Sequence, residues 1–148
     1  MKIISADTKH LKKIIELHQP LHIEELKSIQ PFPWSRGSWI ETNLQNIYIA
    51  EDNEILGAIC VRWSVSGFAI ETLTVDFRHQ GLGIGRSLVE HAKMLVYRAE
   101  GKRLGVCSFS VYGKKRFYEN CGFTYVREAH YEDQTGKKHP YHCLIMEL

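Results

Sequence analysis

The sequence predicts one α/β domain built on a sheet of mixed direction, and three observations carry that expectation. The chain has 148 residues, the size of a single domain and enough to bury about two-thirds of the surface that the unfolded chain exposes. Apolar residues alternate with period two in several short runs and recur at helical spacing in others, which orders the chain βααβββαβαββ with no internal repeat and no linker. A glycine-rich loop within DFRHQGLGIGR joins the β-rich run FAIETLTV to a long amphipathic helical pattern. Residues 1–148 are therefore read as one unit.

Each element has its own signal. KII is a short strand, and Ser5, Ala6 and Asp7 supply an N-cap candidate for a helix carrying Leu11, Ile14, Ile15 and His18, which Pro20 interrupts. Ile23, Leu26 and Lys27 suggest a second helical piece before the loop QPFPWSRGSW, where Pro31 and Pro33 preclude a regular helix. Phe32, Trp34 and Trp39 place aromatic surface in that loop, either to line a pocket or to pin the loop to the core. IYIAEDNEILGAICVRW reads as two strands joined by hairpin chemistry at Asp52 and Asn53. SVSGFAIETLTV is a third strand, whose alternation puts Ala69, Glu71, Leu73 and Val75 on one face and Phe68, Ile70, Thr72 and Thr74 on the other. Leu88, Ala92, Leu95 and Ala99, with Val89 and Val96 beside them, form one apolar helix face that stops at Gly101. RLGVCSF is expected to be a buried strand and GKKRFYENC a short helix closed by Gly122. FTYVRE and YHCLIMEL are the last strands, around a polar hairpin loop at 134–138.

Composition excludes several classes. With 44% hydrophobic and 24% charged residues the chain is an ordinary globular one, and a net charge of +2 argues against nucleic acid or an anionic membrane as partner. No apolar run approaches the ~20 residues of a membrane span, and no signal peptide is read at the N-terminus. Cys60, Cys107, Cys121 and Cys143 lack any CxxC spacing, and three of them lie in apolar strand-like runs. Buried thiols in a reducing cytoplasm are expected. Eight histidines form no HExxH, and no metal is expected.

The glycines carry the chemistry. Gly81, Gly83 and Gly85 stand where a strand hands over to a helix, whose unpaired N–H groups and positive dipole end favour an anion. Without Cβ atoms the backbone approaches a pyrophosphate closely. No Lys-Ser or Lys-Thr follows, as a P-loop requires, and Arg86 stands where a dinucleotide fingerprint needs its last glycine.

Gln80, Gly83 and Gly85 are spaced as in the coenzyme A loop of the GNAT family of N-acetyltransferases, which this stretch resembles. FYENCGF, residues 117–123, resembles that family's second landmark, a short tyrosine-bearing helix ending in Gly-Phe. The resemblance implies a GNAT-like α/β fold, a mixed, mostly antiparallel central sheet with helices on both faces and two splayed parallel strands, Phe68 to Val75 and Arg103 to Phe109. It implies acetyl-CoA as cosubstrate, held by Leu73, Thr74, Val75 and by Gln80, Gly81, Leu82, Gly83, Ile84, Gly85, Arg86 and Ser87. Arg78 and Arg86 either add charge there or are simply solvated. Tyr118 matches the tyrosine near the coenzyme sulfur, with core packing as its other reading. Glu71 matches a carboxylate that deprotonates the amine, with a wet strand edge as the alternative; on a partly apolar face its pKa should rise.

The implied activity is acetyl transfer to a primary amine of a small molecule, in a cytoplasmic monomer or homodimer. Phe32-Pro33-Trp34-Ser35 is also similar to a segment of ribosomal-protein alanine N-acetyltransferases, which makes a peptide N-terminus an alternative acceptor. Those enzymes typically carry a glutamate on the strand matched by Val106, Cys107 and Ser108, and an asparagine where this chain has Val111. A non-catalytic acetyl-CoA binding module is the remaining alternative.

Overall fold

The computed structural model describes residues 1–29 and 36–148. The chain runs β1 (Lys2–Ser5), α1 (Leu11–His18), α2 (Gly37–Thr42), β2 (Ile47–Asp52), β3 (Glu54–Ser64), β4 (Gly67–Val75), α3 (Ile84–Arg98), β5 (Arg103–Phe109), α4 (Lys115–Asn120), β6 (Thr124–Glu132) and β7 (Lys138–Glu147). This is the order read from the sequence. The described residues form one seven-stranded sheet in the order β1-β2-β3-β4-β5-β7-β6. Every adjacent pair is antiparallel except β4 with β5.

Two apolar clusters sandwich the sheet, as a sheet with two covered faces requires. On one face Ile84, Leu88, Val89, Ala92 and Val96 of α3 pack with Ile59, Val61, Ile70, Leu104 and Leu144. On the other, Ile14 and Leu17 of α1 and Ile40 of α2 cover Ile47, Ile49, Ala58 and Cys60. The buried ridge of α3 is thus rotated from the expected one. Leu95 is half-buried and Ala99, exposed, caps the helix.

The second helix lies elsewhere than expected. Ile23, Leu26 and Ile29 recur every three residues, and the stretch folds as a 3₁₀ turn at Glu24–Leu26 rather than an α-helix. Leu26 and Ile29 pack with Leu21, Ile23, Phe109 and Tyr112 in a cluster of their own. The α-helix begins at Gly37, inside the stretch read as a loop, and Trp39 packs against the α1 and α2 cluster. The expectations for Phe32, Pro33, Trp34 and Ser35 lie outside the described residues.

Strict alternation along β4 is also overturned. Cys60 of β3 pairs with Thr72 but Val61 pairs with Ile70, so Glu71 is the extra residue of a β-bulge. A bulge shifts the alternation by one residue. Phe68 and Ile70, then Leu73 and Val75, all pack toward α3, while Thr72 and Thr74 are buried on the opposite side. Glu71 therefore does not share a face with Leu73 and Val75. Of the strand cysteines only Cys60 is buried; Cys107 is exposed and Cys143 half-buried, because the sheet opens beside them.

Candidate active site

The opening has a local cause. β4 and β5 pair through only Phe68 with Leu104, Ala69 with Gly105 and Ile70 with Val106. The bulge at Glu71 comes next, and bulges bend the strand that carries them. Beyond Ile70 the two strands part, leaving a cleft of about 1510 Å³ that reaches both faces of the sheet. Leu73, Thr74 and Val75 line it along the freed edge of β4, and the Val75 carbonyl accepts a 3.3 Å hydrogen bond from Gln80 Nε2.

At one end of the cleft stands the glycine loop. Gly81 and Gly83 have φ of +82° and +83°, and a Cβ on either would meet no protein atom within 4 Å. These glycines serve backbone conformation and leave the space before α3 open. Gly83 caps the helix, and the first intrahelical bond runs from Ser87 N–H to the Gly83 carbonyl at 3.0 Å. The N–H groups of Ile84, Gly85 and Arg86 precede it and have no helical acceptor. Gly85 has a different reason to be small: its Cβ would approach the Phe117 ring at 3.2 Å. The bare backbone lets the first turn of α3 abut α4, which brings Tyr118 beside the loop.

Gln80, Gly81, Gly83, Ile84, Gly85 and Arg86 line the cleft, whereas Leu82 points outward, 71% exposed, and Ser87 is half-buried away from the lining. Arg78 is not a free charge. Its guanidinium donates to Asp76 through Nε at 3.1 Å and Nη2 at 2.9 Å, and to Glu54 at 3.3 Å. These hydrogen bonds, with the Arg78 N–H, hold the Asp76 carboxyl well below the usual carboxylate range. Glu54, Asp76 and His79 bring ligand atoms within 4.8 Å of one another, and the cations at that cluster are Arg78 and Lys13.

Tyr118 lines the cleft and is 6% exposed, with edge-on contacts to Phe117 at 5.1 Å and Phe123 at 5.5 Å between centroids. Burial, and next the Cys121 thiol, push its phenol above the ordinary tyrosine range, so the neutral, proton-bearing form prevails. Its hydroxyl makes no hydrogen bond among the described residues.

Glu71 lines the cleft on the α1 side, where burial and then its carboxylate push the Cys60 thiol up to about 12. Its neighbour Thr72 is locked in place by His18, which is fully buried. His18 Nδ1 bonds the Ile14 carbonyl at 2.8 Å, so Nε2 accepts from the Thr72 hydroxyl at 2.9 Å. Burial lowers the His18 pKa, which keeps this neutral arrangement.

Sequence reasoning missed the far wall of the cleft. Cys107 and Cys143 stand there with sulfurs 3.4 Å apart, next to Phe109, Tyr112, Arg127 and Tyr141. The loop after β6 is tied down by Asp133, which accepts from Ser28, Thr135 and His139; these bonds hold its carboxyl below the usual range. Only the polar residues of that loop were a signal.

Solved structures share this fold. The fold matches ribosomal-protein-alanine N-acetyltransferase from Brucella melitensis with TM-score 0.74 at 14% identity, covering 100% of both chains. It matches yncA of Salmonella typhimurium, solved with its cofactor acetyl-CoA, with TM-score 0.75 at 19% identity over 100% of this chain and 94% of that one. It also matches N-acetylglutamate synthase from Neisseria gonorrhoeae, complexed with coenzyme A and N-acetyl-glutamate, with TM-score 0.76 at 18% identity, covering 99% of this chain and 35% of that one. No curated protein matches the sequence. The family profile described as an acetyltransferase (GNAT) domain matches residues 43–125. The chain belongs to that family, and it is an acyltransferase.

Proposed function

We propose that the protein transfers an acetyl group from acetyl-CoA to a primary amine of a small molecule by direct attack in a ternary complex. The observation that carries this reading is the cleft itself: unpaired loop N–H groups at its mouth, a free β4 edge along it, and Tyr118 and Glu71 both lining it. The N–H groups of Gly83 to Arg86 suit the pyrophosphate, and the freed edge at Leu73 and Val75 suits the amides of the pantetheine arm as an added strand would.

The amine nitrogen attacks the acetyl carbonyl carbon, the carbon–sulfur bond breaks, and the electron pair leaves on sulfur. Holding both reactants in one cleft supplies much of the acceleration, roughly 7–11 kcal/mol in well-oriented cases. Glu71 accepts the amine's proton, directly or through water. Tyr118, kept neutral by burial, donates a hydrogen bond to the sulfur as charge develops there.

Thiol release from acetyl-CoA, measured with a panel of small amines and N-terminal peptides, tests this reading. Turnover with small amines is expected. Turnover with peptides alone would transfer the assignment to protein N-termini, and tight acetyl-CoA binding with no turnover would make the protein a binding module.

A further inference from the structure

One row of side chains crosses the open part of the sheet. Glu71 follows Ile70, the last β4 residue paired with β5, whose partner there is Val106. Cys107 comes after Val106 and pairs with Cys143 of β7, and Cys143 pairs with Arg127 of β6. Register thus sets Glu71, Cys107, Cys143 and Arg127 side by side on four neighbouring strands, and all of them line the cleft. A second bulge makes this alignment: Tyr125 pairs with Leu144 and Arg127 with Cys143, so Val126 is the extra residue. Tyr125 packs on the α3 side beneath Lys115, while the bulge turns Arg127 to the side of Cys143.

The row is charged at its ends. The Glu71 carboxylate and the Arg127 guanidinium both act on the Cys107 thiol, with opposite signs. Among the described residues the Arg127 guanidinium has neither an ion pair nor a hydrogen bond. Of the other cations lining the cleft, Lys13 pairs with Asp76 at 3.6 Å, Arg78 with Asp76 at 2.9 Å and Arg103 with Glu147 at 2.8 Å, while Arg86 stands in the first turn of α3 and Lys114 just ahead of α4. The ends of the row stand on β4 and β6, on opposite sides of the parting of β4 from β5, a span that the two long side chains narrow. The cleft therefore offers an amine acceptor a carboxylate on one side and an unpaired guanidinium on the other. A guanidinium presents a planar fork of donors that matches a carboxylate.

We propose that Arg127 receives the carboxylate of an acceptor whose amine is directed to Glu71, so that the acceptor is a free amino acid rather than an uncharged amine or a peptide N-terminus. This rests on the acyl-transfer reading above, and it adds the acceptor class and the residue that selects it.

The test compares free amino acids with the corresponding amino acid amides, which differ only in the carboxylate, in wild type, Arg127→Gln and Arg127→Glu. The amide's amine is the less basic, so a preference for the acid does not arise from a larger supply of free base. Wild type is expected to favour the acids by about 10- to 100-fold in kcat/KM, the loss expected for removing one charged hydrogen-bonding partner. Arg127→Gln should erase that preference by slowing the acids alone, and Arg127→Glu should invert it, with the acetyl-CoA dissociation constant unchanged in both. Equal rates for acids and amides in wild type, or an Arg127→Gln loss shared equally by both, would overturn the proposal. Calorimetric titration of the same pairs into the wild-type complex with coenzyme A reads the preference without turnover, and no preference there overturns it as well. Acetyl-CoA that fails to bind wild type would instead overturn the acyl-transfer reading, and this one with it.

Discussion

The two walls of the cleft are built by different means. On the side of β4, the glycine loop and α3, the cleft presents backbone: a strand edge released by a bulge, left-handed glycines at 81 and 83, and N–H groups ahead of the first helical bond. These parts lie in one contiguous stretch, where the loop follows its own dihedrals and the bulge follows pairing with β3. On the side of β5, β7 and β6 the cleft presents side chains, and Cys107, Arg127 and Cys143 come together only through strand register. A wall of backbone keeps its hydrogen-bonding groups through most side-chain substitutions, whereas a wall of side chains changes its ligand with single ones.

Substitutions on the two walls sharpen this contrast. The largest effect is expected where the walls meet, at Tyr118. Tyr118→Phe keeps the ring contacts and loses the hydroxyl, so turnover should fall by about 10²–10⁴ with little change in acetyl-CoA affinity; a fully active variant would assign Tyr118 to packing. On the backbone wall, Gly83→Val forces a β-branched residue into φ +83° and sets its side chain in the open space before α3. Acetyl-CoA affinity should drop by roughly 10- to 100-fold, and unchanged affinity in a folded variant would remove the loop from the binding account.

Glu71→Gln probes the other side of the bulge. If Glu71 takes the amine's proton, the rate at pH 7 should fall by about tenfold or more, and the deficit should shrink as pH approaches the amine's own pKa. A deficit constant with pH would make Glu71 a positioning group. The smallest effect belongs to the anchor of the side-chain wall. Asp133 titrates below the usual carboxylate range in the folded state, so its contribution to stability is complete above about pH 4 and is lost as pH falls through the lowered value. Asp133→Asn should lower Tm at pH 7 while leaving the glycine loop's acetyl-CoA affinity unaltered, and its Tm gap from wild type should narrow below about pH 4. A gap that widens on acidification would show that the carboxylate is not what stabilises the hairpin.

The contrast also explains which expectations held. Element order was legible because hydrophobic period and turn residues are local, and the glycine stretch was legible because Gly81 and Gly83 answer to their own φ. The second helix was misplaced because Ile23 and Leu26, three residues apart, suit a 3₁₀ turn as well as an α-helix. The face of Glu71 was misread because a bulge leaves no mark in a run such as FAIETLTV; pairing with β3 decides it. Cys107 and Cys143 were expected to be buried because the run around each is apolar, yet the parting of β4 from β5 exposes that stretch.

By itself, then, the sequence determined the order of strands and helices, the left-handed loop ahead of α3 and the placement of Tyr118 on a short helix closed by Gly122, since each depends on dihedral preferences and periodicity within a few residues. Only the tertiary structure decided that β7 lies between β5 and β6, that bulges at Glu71 and Val126 turn a carboxylate and a guanidinium into one cleft, and that His18 locks Thr72. Those outcomes depend on which distant strands share hydrogen bonds, and a one-residue shift in that pairing sends every later side chain to the opposite face.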